Sequence, residues 1–370
     1  MTLTPNTKRN IQRIAPFGII WLITGWVFLL IESAATGNQN LNPEEVITLS
    51  PKVFVFASIT ITVVGLLVGI AEVMLLHKLF DRYSLSTKIL LKFAFYLSSL
   101  FLVVVILYPL AASIELNLSP LDKQVWLKFK KYLLSIVFLS NIVQISFSLI
   151  LSLLYAAVSD HLGHNVLLNF FSGKYHKPIK EQRIFMFLDM RSSTSIAEKL
   201  GHEKYFELLK MYYQAMARPI IDHEGTVYQY IGDEVVVTWK KEVGLNNANC
   251  IACFFAIQKS IQSLKDKFQS QFGLVPSFKG GLHLGEVTIG EVGALKKEIV
   301  FTGDVLNTTA RIQSLCNEYK HDLIISGDLK LNLNSYQAFK FTSLASLNLR
   351  GKSELTELYA VNLPKPNLLL

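Results

Sequence analysis

Apolar residues fill the first 158 positions in four long blocks and then stop doing so. The blocks span about Ile14–Ile31, Val53–Leu76, Phe93–Ala112 and Leu133–Val158. Each is near the ~20 residues an α-helix needs to cross the hydrocarbon of a bilayer. They predict an all-α transmembrane region of four helices over residues 1–158. After that the pattern shortens to the alternations and 3.6-residue periods of a water-soluble domain. Ile184–Leu188 predicts a strand. A short helix follows, marked by Ser195 and Glu198 at capping-box spacing, and then a long amphipathic helix over His202–His223. Residues 226–230 and 234–239 predict a hairpin with Asp233 at its tip. Asn246–Phe272 predicts one helix, and Ser277–Leu284 with Glu286–Ile289 a second hairpin around Gly285. A helix over Asp304–Asn317, a strand at Leu323–Ser326 and a closing pair of strands in the tail from Leu349 complete the pattern. Together these predict an α+β domain with helices on one face of a mostly antiparallel sheet.

Composition averages two unlike parts. Hydrophobic residues make up 51% of the chain, charged residues 17%, and the mean hydropathy is +0.36. The net charge of +8 lies partly beside the apolar blocks, so it points to a membrane surface and not to a nucleic-acid partner. Lys8, Arg9 and Arg13 precede the first block, and Lys78, Arg82, Lys88 and Lys92 separate the second from the third. An excess of Lys and Arg marks the cytoplasmic side, which predicts a multi-pass protein of the cell (inner) membrane with both termini and the soluble domain in the cytoplasm. The 34–51 loop with Glu44 and Glu45 fits the outer side. The 113–132 loop, with Lys123, Lys128, Lys130 and Lys131, runs against this topology. Among polar residues in the blocks, Glu72 and His77 stand near a span end and are expected to snorkel to the headgroups, while Asn141 and Gln144 stand in the fourth. Cys250, Cys253 and Cys316 are the only cysteines, too few for a disulfide framework. Residues 159–182 form a juxtamembrane connector, 183–362 the soluble domain and 363–370 a tail.

The chemistry concentrates on two carboxylates. Asp189 ends an apolar strand and Asp233 tips a hairpin. Two such acids placed side by side repel unless cations stand between them, an arrangement suited to a two-metal clamp in phosphoryl transfer. The stretch Met190–Thr194, opening a helix, offers backbone N–H groups to phosphate.

With those residues in place, the chain resembles a known family. The runs F-x-D-M-x-x-S-T at 187–194, Y-x-G-D at 230–233, G-L-H-x-G at 281–285, D-V-L-N-x-x-A-R at 304–311, L-R-G-K-S at 349–353 and E-L-Y at 357–359 are similar to the class III nucleotidyl cyclase (adenylate/guanylate cyclase) catalytic domain. The resemblance implies a ferredoxin-like βαββαβ core and a homodimer with sites across its interface. It implies two Mg²⁺ or Mn²⁺ ions on Asp189 and Asp233, with the Met190 backbone carbonyl as a further ligand, and phosphate contacts from Arg191, Ser192, Ser193 and Thr194. Asn307 then orients the ribose, and Arg311 neutralises phosphate charge from the partner subunit. At the two positions where the family reads the base, this chain departs from the pattern with Gln229 and Val300. The resemblance therefore implies cyclisation of a nucleoside triphosphate, with ATP the expected substrate. A cyclase of another nucleoside triphosphate (GTP or a pyrimidine), or an inactive nucleotide-binding module, stands as the alternative.

Overall fold

The computed structural model describes residues 4–36, 51–76, 83–116, 118–162, 173–333, 339–347 and 355–363. Thr7–Leu168 forms one compact unit; Asn169–Leu370, with Met1–Asn6, forms the other.

The first unit is helical: α1 (Pro5–Thr36), α2 (Pro51–Ile70) continuing as a π-helical turn over Ala71–Leu76, α3 (Leu85–Leu116), α4 (Lys123–Leu133) and α5 (Ile136–Leu162). Helices α1, α2 with its π turn, α3 and α5 each hold a segment long and apolar enough to cross a membrane. Their outward faces carry Leu30, Leu67, Leu75 and Leu90, all exposed. Inward, Phe17, Trp21, Val68, Tyr96, Leu149 and Leu153 pack together. Lipid tails are as apolar as leucine, so helices in a bilayer need close packing and shared polar contacts to associate. Such contacts are present: Trp21 Nε1 donates to Ser152 Oγ at 3.1 Å, and the Thr24 and Ser148 hydroxyls lie 2.7 Å apart.

Two expectations change in this unit. Glu72 does not snorkel. It is buried in the π-helical turn, where it accepts a hydrogen bond from Tyr96 Oη at 3.1 Å and pairs with the buried Lys92. A charge kept from water this way must be paired to be tolerated. The basic stretch before the fourth span is not one long loop. α3 extends to Leu116, α4 is a helix in its own right, and the helix that holds the fourth span starts at Ile136 instead of Leu133. Asp122 caps α4 by accepting from the Gln124 N–H at 2.8 Å, and the intervening turn is what apolar content alone had merged with the span. Glu44, Glu45, His77, Lys78 and Arg82 lie outside the described residues.

The second unit is built on one sheet. β1 (Ile179–Met190) is followed by α6 (Ser193–Leu200) and α7 (His202–Asp222), then by β2 (Thr226–Ile231) and β3 (Glu234–Lys240). Next come α8 (Asn249–Ser263), α9 (Lys265–Phe272), β4 (Phe278–Val292), β5 (Glu298–Thr302) and α10 (Asp304–Ser314). β6 (Leu323–Ser326), β7 (Lys340–Leu347) and β8 (Thr356–Asn362) complete the sheet. Its order is β2-β3-β1-β4-β6-β8-β7, with β5 paired to the far half of β4. The first four strands, with α7 and α8 in the crossovers, form the expected βαββαβ ferredoxin-like core, and β4 and β6 pair in parallel.

Alternation along β1 and its neighbours makes two unlike faces. Ile184, Met186, Leu188, Val235, Val237, Leu282 and Leu284 point into a core with α7 and α8. Burying side chains of this size stabilises by ~1.5–3 kcal/mol each. Phe185, Phe187, Val236, Val287 and Ile289 face the other way and pack with Val305 of α10. The helices are therefore not all on one face, because α10 covers the second. The expected hairpin around Gly285 is also absent. Phe278–Val292 is one continuous strand, paired with β1 from Phe278 through Gly285 to Ile289, and the turn lies later, before β5. Gly285 is where α10 crosses: a Cβ there would sit 2.5 Å from Val305 Cγ2. The helix expected over Asn246–Phe272 starts at Asn249 and breaks at Leu264. The closing strand pair is Lys340–Leu347 with Thr356–Asn362, and the L-R-G-K-S run falls outside the described residues.

Candidate active site

Asp189 is positioned by strand parity. It shares a face with Phe185 and Phe187, and in the β1–β4 register it stands opposite Lys279. The β1–β3 register ends at Leu188↔Val235, so Asp189 emerges beside the β2–β3 tip that carries Asp233. Gly232, at φ 62°, turns that tip. The structure therefore brings the two aspartates together, within hydrogen-bonding reach of each other. Lys279 Nζ lies 3.3 Å from Asp189 Oδ2, and Gln313 Nε2 donates to the same oxygen at 3.1 Å.

Asp233 has different surroundings. Its Oδ2 is buried with no hydrogen-bond partner. Burial, and then the neighbouring Asp189 charge, raise its pKa against a hydrogen bond from Ser193. Glu234 follows on β3. Burial together with Asp189 and Asp233 pushes it up to about 7, and Lys279 opposes the shift. Tyr205, Tyr212 and Tyr213 of α7 surround this charge, and burial first and Asp233 second raise all three pKa values, that of Tyr213 to about 12. They remain protonated donors at neutral pH. Tyr213 Oη donates to the Gly232 carbonyl and so steadies the Asp233 turn.

Among the described residues no group of three or more His, Cys, Asp or Glu side chains is arranged for a metal. Two hard carboxylates in contact, one with a buried orphan oxygen, nonetheless fit a divalent cation of the Mg²⁺ type. Such ions take one or two carboxylates from the protein and the rest of their shell from water and phosphate. Met190 ends β1, its side chain buried, so its carbonyl lies at the same strand end.

The loop after β1 departs from the expected cap. α6 begins at Ser193, and Ser192 precedes it in the left-handed region at φ 58° with no side-chain cap, so the Ser195–Glu198 box does not form the helix start. Ser192 and Thr194 are exposed, and Ser193 lies against Asp233. Arg191 is turned away from the phosphate role expected of it. Its guanidinium contacts Asn317 Oδ1 (3.1 Å), the His321 carbonyl (3.2 Å) and Asp322 Oδ1 (2.8 Å), and its N–H donates to the Ser277 carbonyl. The fork is consumed in fixing the 317–322 turn.

Asn307 and Arg311 share one side of α10, as their spacing requires. The opposite side, with Val305, Thr308, Thr309, Ile312 and Gln313, is buried against the chain's own sheet. Gln313 thus meets Asp189 of its own chain, and among the described residues no hydrogen bond or ion pair joins Asn307 or Arg311 to Asp189 or Asp233. Arg311 Nη1 is buried without a hydrogen-bond partner. Gln229 is exposed on β2 just past a bulge, and Val300 is half-buried on β5 opposite Gly290. Their neighbours Tyr228 and Phe301 touch edge-on at 4.8 Å, which brings the two positions to one region of the same chain.

Sequence reasoning missed Lys279, Gln313 and Glu234. Lys279 and Gln313 reach Asp189 only through the β1–β4 register and the seating of α10, for which Gly281, two residues beyond Lys279, was the available sign. Glu234 adjoins Asp233 and was read as strand.

The sequence model of the adenylate and guanylate cyclase catalytic domain matches residues 175–362, half of the chain. The chain belongs to the adenylate and guanylate cyclase family. Among its relatives, adenylate cyclase 2 of Rhizobium meliloti (strain 1021) is 34% identical over 197 residues, covering 53% of this chain and 54% of that protein. The adenylate cyclase of Anabaena cylindrica is 26% identical over 183 residues, 48% and 36% of the respective chains. The chain therefore spans about half, or less, of the length of these curated relatives. A solved bacterial light-regulated adenylyl cyclase superposes with a TM-score of 0.52 at 22% identity, over 62% of this chain and 66% of that one, and shares the fold.

Proposed function

We propose that this chain is a membrane-anchored nucleotidyl cyclase that acts as a homodimer and converts ATP to 3′,5′-cyclic AMP and pyrophosphate. The observation that carries the proposal is the pairing of Asp189 with Asp233 at one strand end, with a buried carboxylate oxygen that has no hydrogen-bond partner among the described residues. Asp189 and Asp233, with the Met190 carbonyl, would hold two Mg²⁺ or Mn²⁺ ions, which supply Lewis-acid chemistry to the 3′-hydroxyl and the triphosphate. Lys279 and Gln313 fix the Asp189 carboxylate by holding its Oδ2. Backbone N–H groups at Ser193 and Thr194, at the positive end of α6, bind phosphate oxygens. Arg311 presents a planar fork to the phosphate charge that grows in the transition state, and Asn307 one turn away orients the ribose. Asn307 is exposed and both lie on the side of α10 away from the residues packed on the sheet, which supports a site completed by a second copy. Gln229 pairs with the base edge, offering both a donor and an acceptor. Relatives named adenylate cyclases favour ATP. The anchor rests on the four apolar helices, and Lys8, Arg9, Arg13 and Lys88 favour a cytoplasmic catalytic domain in the inner membrane.

Purified full-length protein incubated with Mn²⁺ and each of the four nucleoside triphosphates tests this. Cyclic AMP is the expected main product, and the absence of every cyclic product would sink the proposal. Val300, which cannot hydrogen-bond a base, favours the second reading of a nucleotide-binding module. Tight nucleotide binding with no turnover would support that reading.

A further inference from the structure

Helix α4, between the third and fourth candidate spans, has no part in the cyclase chemistry. Its sequence KQVWLKFKKYL holds four lysines and no acid, and Asp122 ahead of it is engaged at its cap. Val125 and Phe129 are buried on the bundle side, while Lys123, Lys130, Lys131, Trp126 and Leu127 are exposed.

The position of α4 relative to the fourth candidate span is fixed by its joint with α5. Only Leu134 and Ser135 separate the two helices. Leu134 N–H donates to the Lys130 and Lys131 carbonyls at 3.2 Å, and Ser135 Oγ donates to the Tyr132 carbonyl at 2.7 Å while accepting from Phe138 N–H at 3.2 Å. Asn141 Nδ2 donates to Tyr132 Oη at 3.3 Å, and the Tyr132 and Phe138 rings meet edge-on at 5.3 Å. The apolar span itself begins at Phe138. α4 is therefore held at the start of the apolar span, with the neighbouring Leu121, Leu134 and Ile136 exposed as well.

Resting on the membrane reading above, we propose that α4 lies along the bilayer surface and binds the headgroups of anionic phospholipids. Trp126 and Tyr132 belong to the residue types that settle at headgroup depth. Lysine stems lie along apolar surface with their ammonium groups among the phosphates, and each cation near an anionic leaflet adds to the attraction. A helix with four cations and no anion prefers anionic to zwitterionic lipid, whereas apolar area alone would not discriminate. This also accounts for basic residues on the side that the charge rule leaves poor in them. They are tied to lipid beside a finished span.

The test uses full-length protein in phosphatidylcholine vesicles containing a fixed minority of phosphatidylglycerol, with acyl-chain bromine on one lipid or the other. Subtracting the fluorescence of Trp126→Phe isolates Trp126, and Trp26→Phe isolates Trp26 on α1 in the same way. Trp126 is expected to be quenched several-fold more by brominated phosphatidylglycerol than by an equal fraction of brominated phosphatidylcholine. Replacing Lys123, Lys128, Lys130 and Lys131 with Gln is expected to remove that preference while Trp26 stays quenched. An unquenched Trp26 would overturn the membrane reading itself. A quenched Trp26 with Trp126 unquenched, because water, another protein or a second copy covers α4, would overturn only the lipid-binding role. Equal quenching of Trp126 by the two lipids would do the same.

Discussion

Asp189 has one oxygen held by Lys279 and Gln313, while Asp233 keeps a buried oxygen without a partner. The two carboxylates are thus unequal. Asp233→Asn is expected to lower cyclase activity ~10³-fold or more, measured as cyclic product per minute, because it removes a cation ligand that nothing else replaces. Gln313→Leu keeps the volume and loses the hydrogen bond, so activity should fall about 10–100-fold with a higher Mn²⁺ requirement, as when an outer partner of a metal ligand is lost. Protons report on the same cluster. Glu234 is raised from 4.5 to about 7 in the fold, and Asp233 is raised too. At these two groups the folded state binds more protons than the unfolded one, so without divalent cation their contribution to stability is fully present below their unfolded pKa values and, for Glu234, is lost as pH rises through about 7. For partly exposed Glu234 the loss is on the order of 1 kcal/mol after allowing for solvent screening. Denaturant titrations read by Trp239 fluorescence should show this decline, and saturating Mg²⁺ should flatten it. At this scale the sequence showed the two aspartates, because a strand end and a hairpin tip are local signals. Lys279 and Gln313 were hidden, because their meaning comes from cross-strand register and helix seating.

α10 sits where it does because two glycines in β4 leave room for it. A Cβ on Gly281 would lie 2.5 Å from the Gln313 backbone nitrogen, and backbone cannot yield as a side-chain tip can. Gly281→Ala is expected to cost ~1–3 kcal/mol from overpacking and to push α10 outward. Activity should then fall more than stability, seen by comparing Tm with kcat in one preparation. A Gly inside an alternating run reads as a turn, which is why the sequence suggested a hairpin at Gly285. The strand continues because β1 pairs with β4 across all twelve positions from Ile179 to Met190. Periodicity did reveal α7 and the β2–β3 hairpin, whose signals lie within a few turns of chain.

For the whole molecule, length and hydropathy were enough to separate an apolar helical part from a soluble α+β part. They could not separate α4 from its span, because apolar content does not mark the corner at Leu134–Ser135. If Arg311 and Asn307 of one copy complete the Asp189–Asp233 site of another, two inactive variants should rescue each other. Random pairing of Asp233→Ala with Arg311→Ala makes half the dimers mixed, each with one intact site of two, so co-reconstitution should restore about a quarter of the wild-type activity. Mixed samples that stay inactive would place all the catalytic residues within single chains.

The seating of α10 has a further consequence for that pair. Its inner side touches Asp189 through Gln313, and its outer side carries Asn307 and Arg311. In the proposed dimer one rigid helix would then belong to two active sites, serving the cation end of one and the phosphate end of the other. A small roll of that helix, caused by filling the first site, would be felt by the second. Substrate-velocity curves for the full-length dimer should accordingly depart from a hyperbola, and the mixed dimer with one working site should restore it.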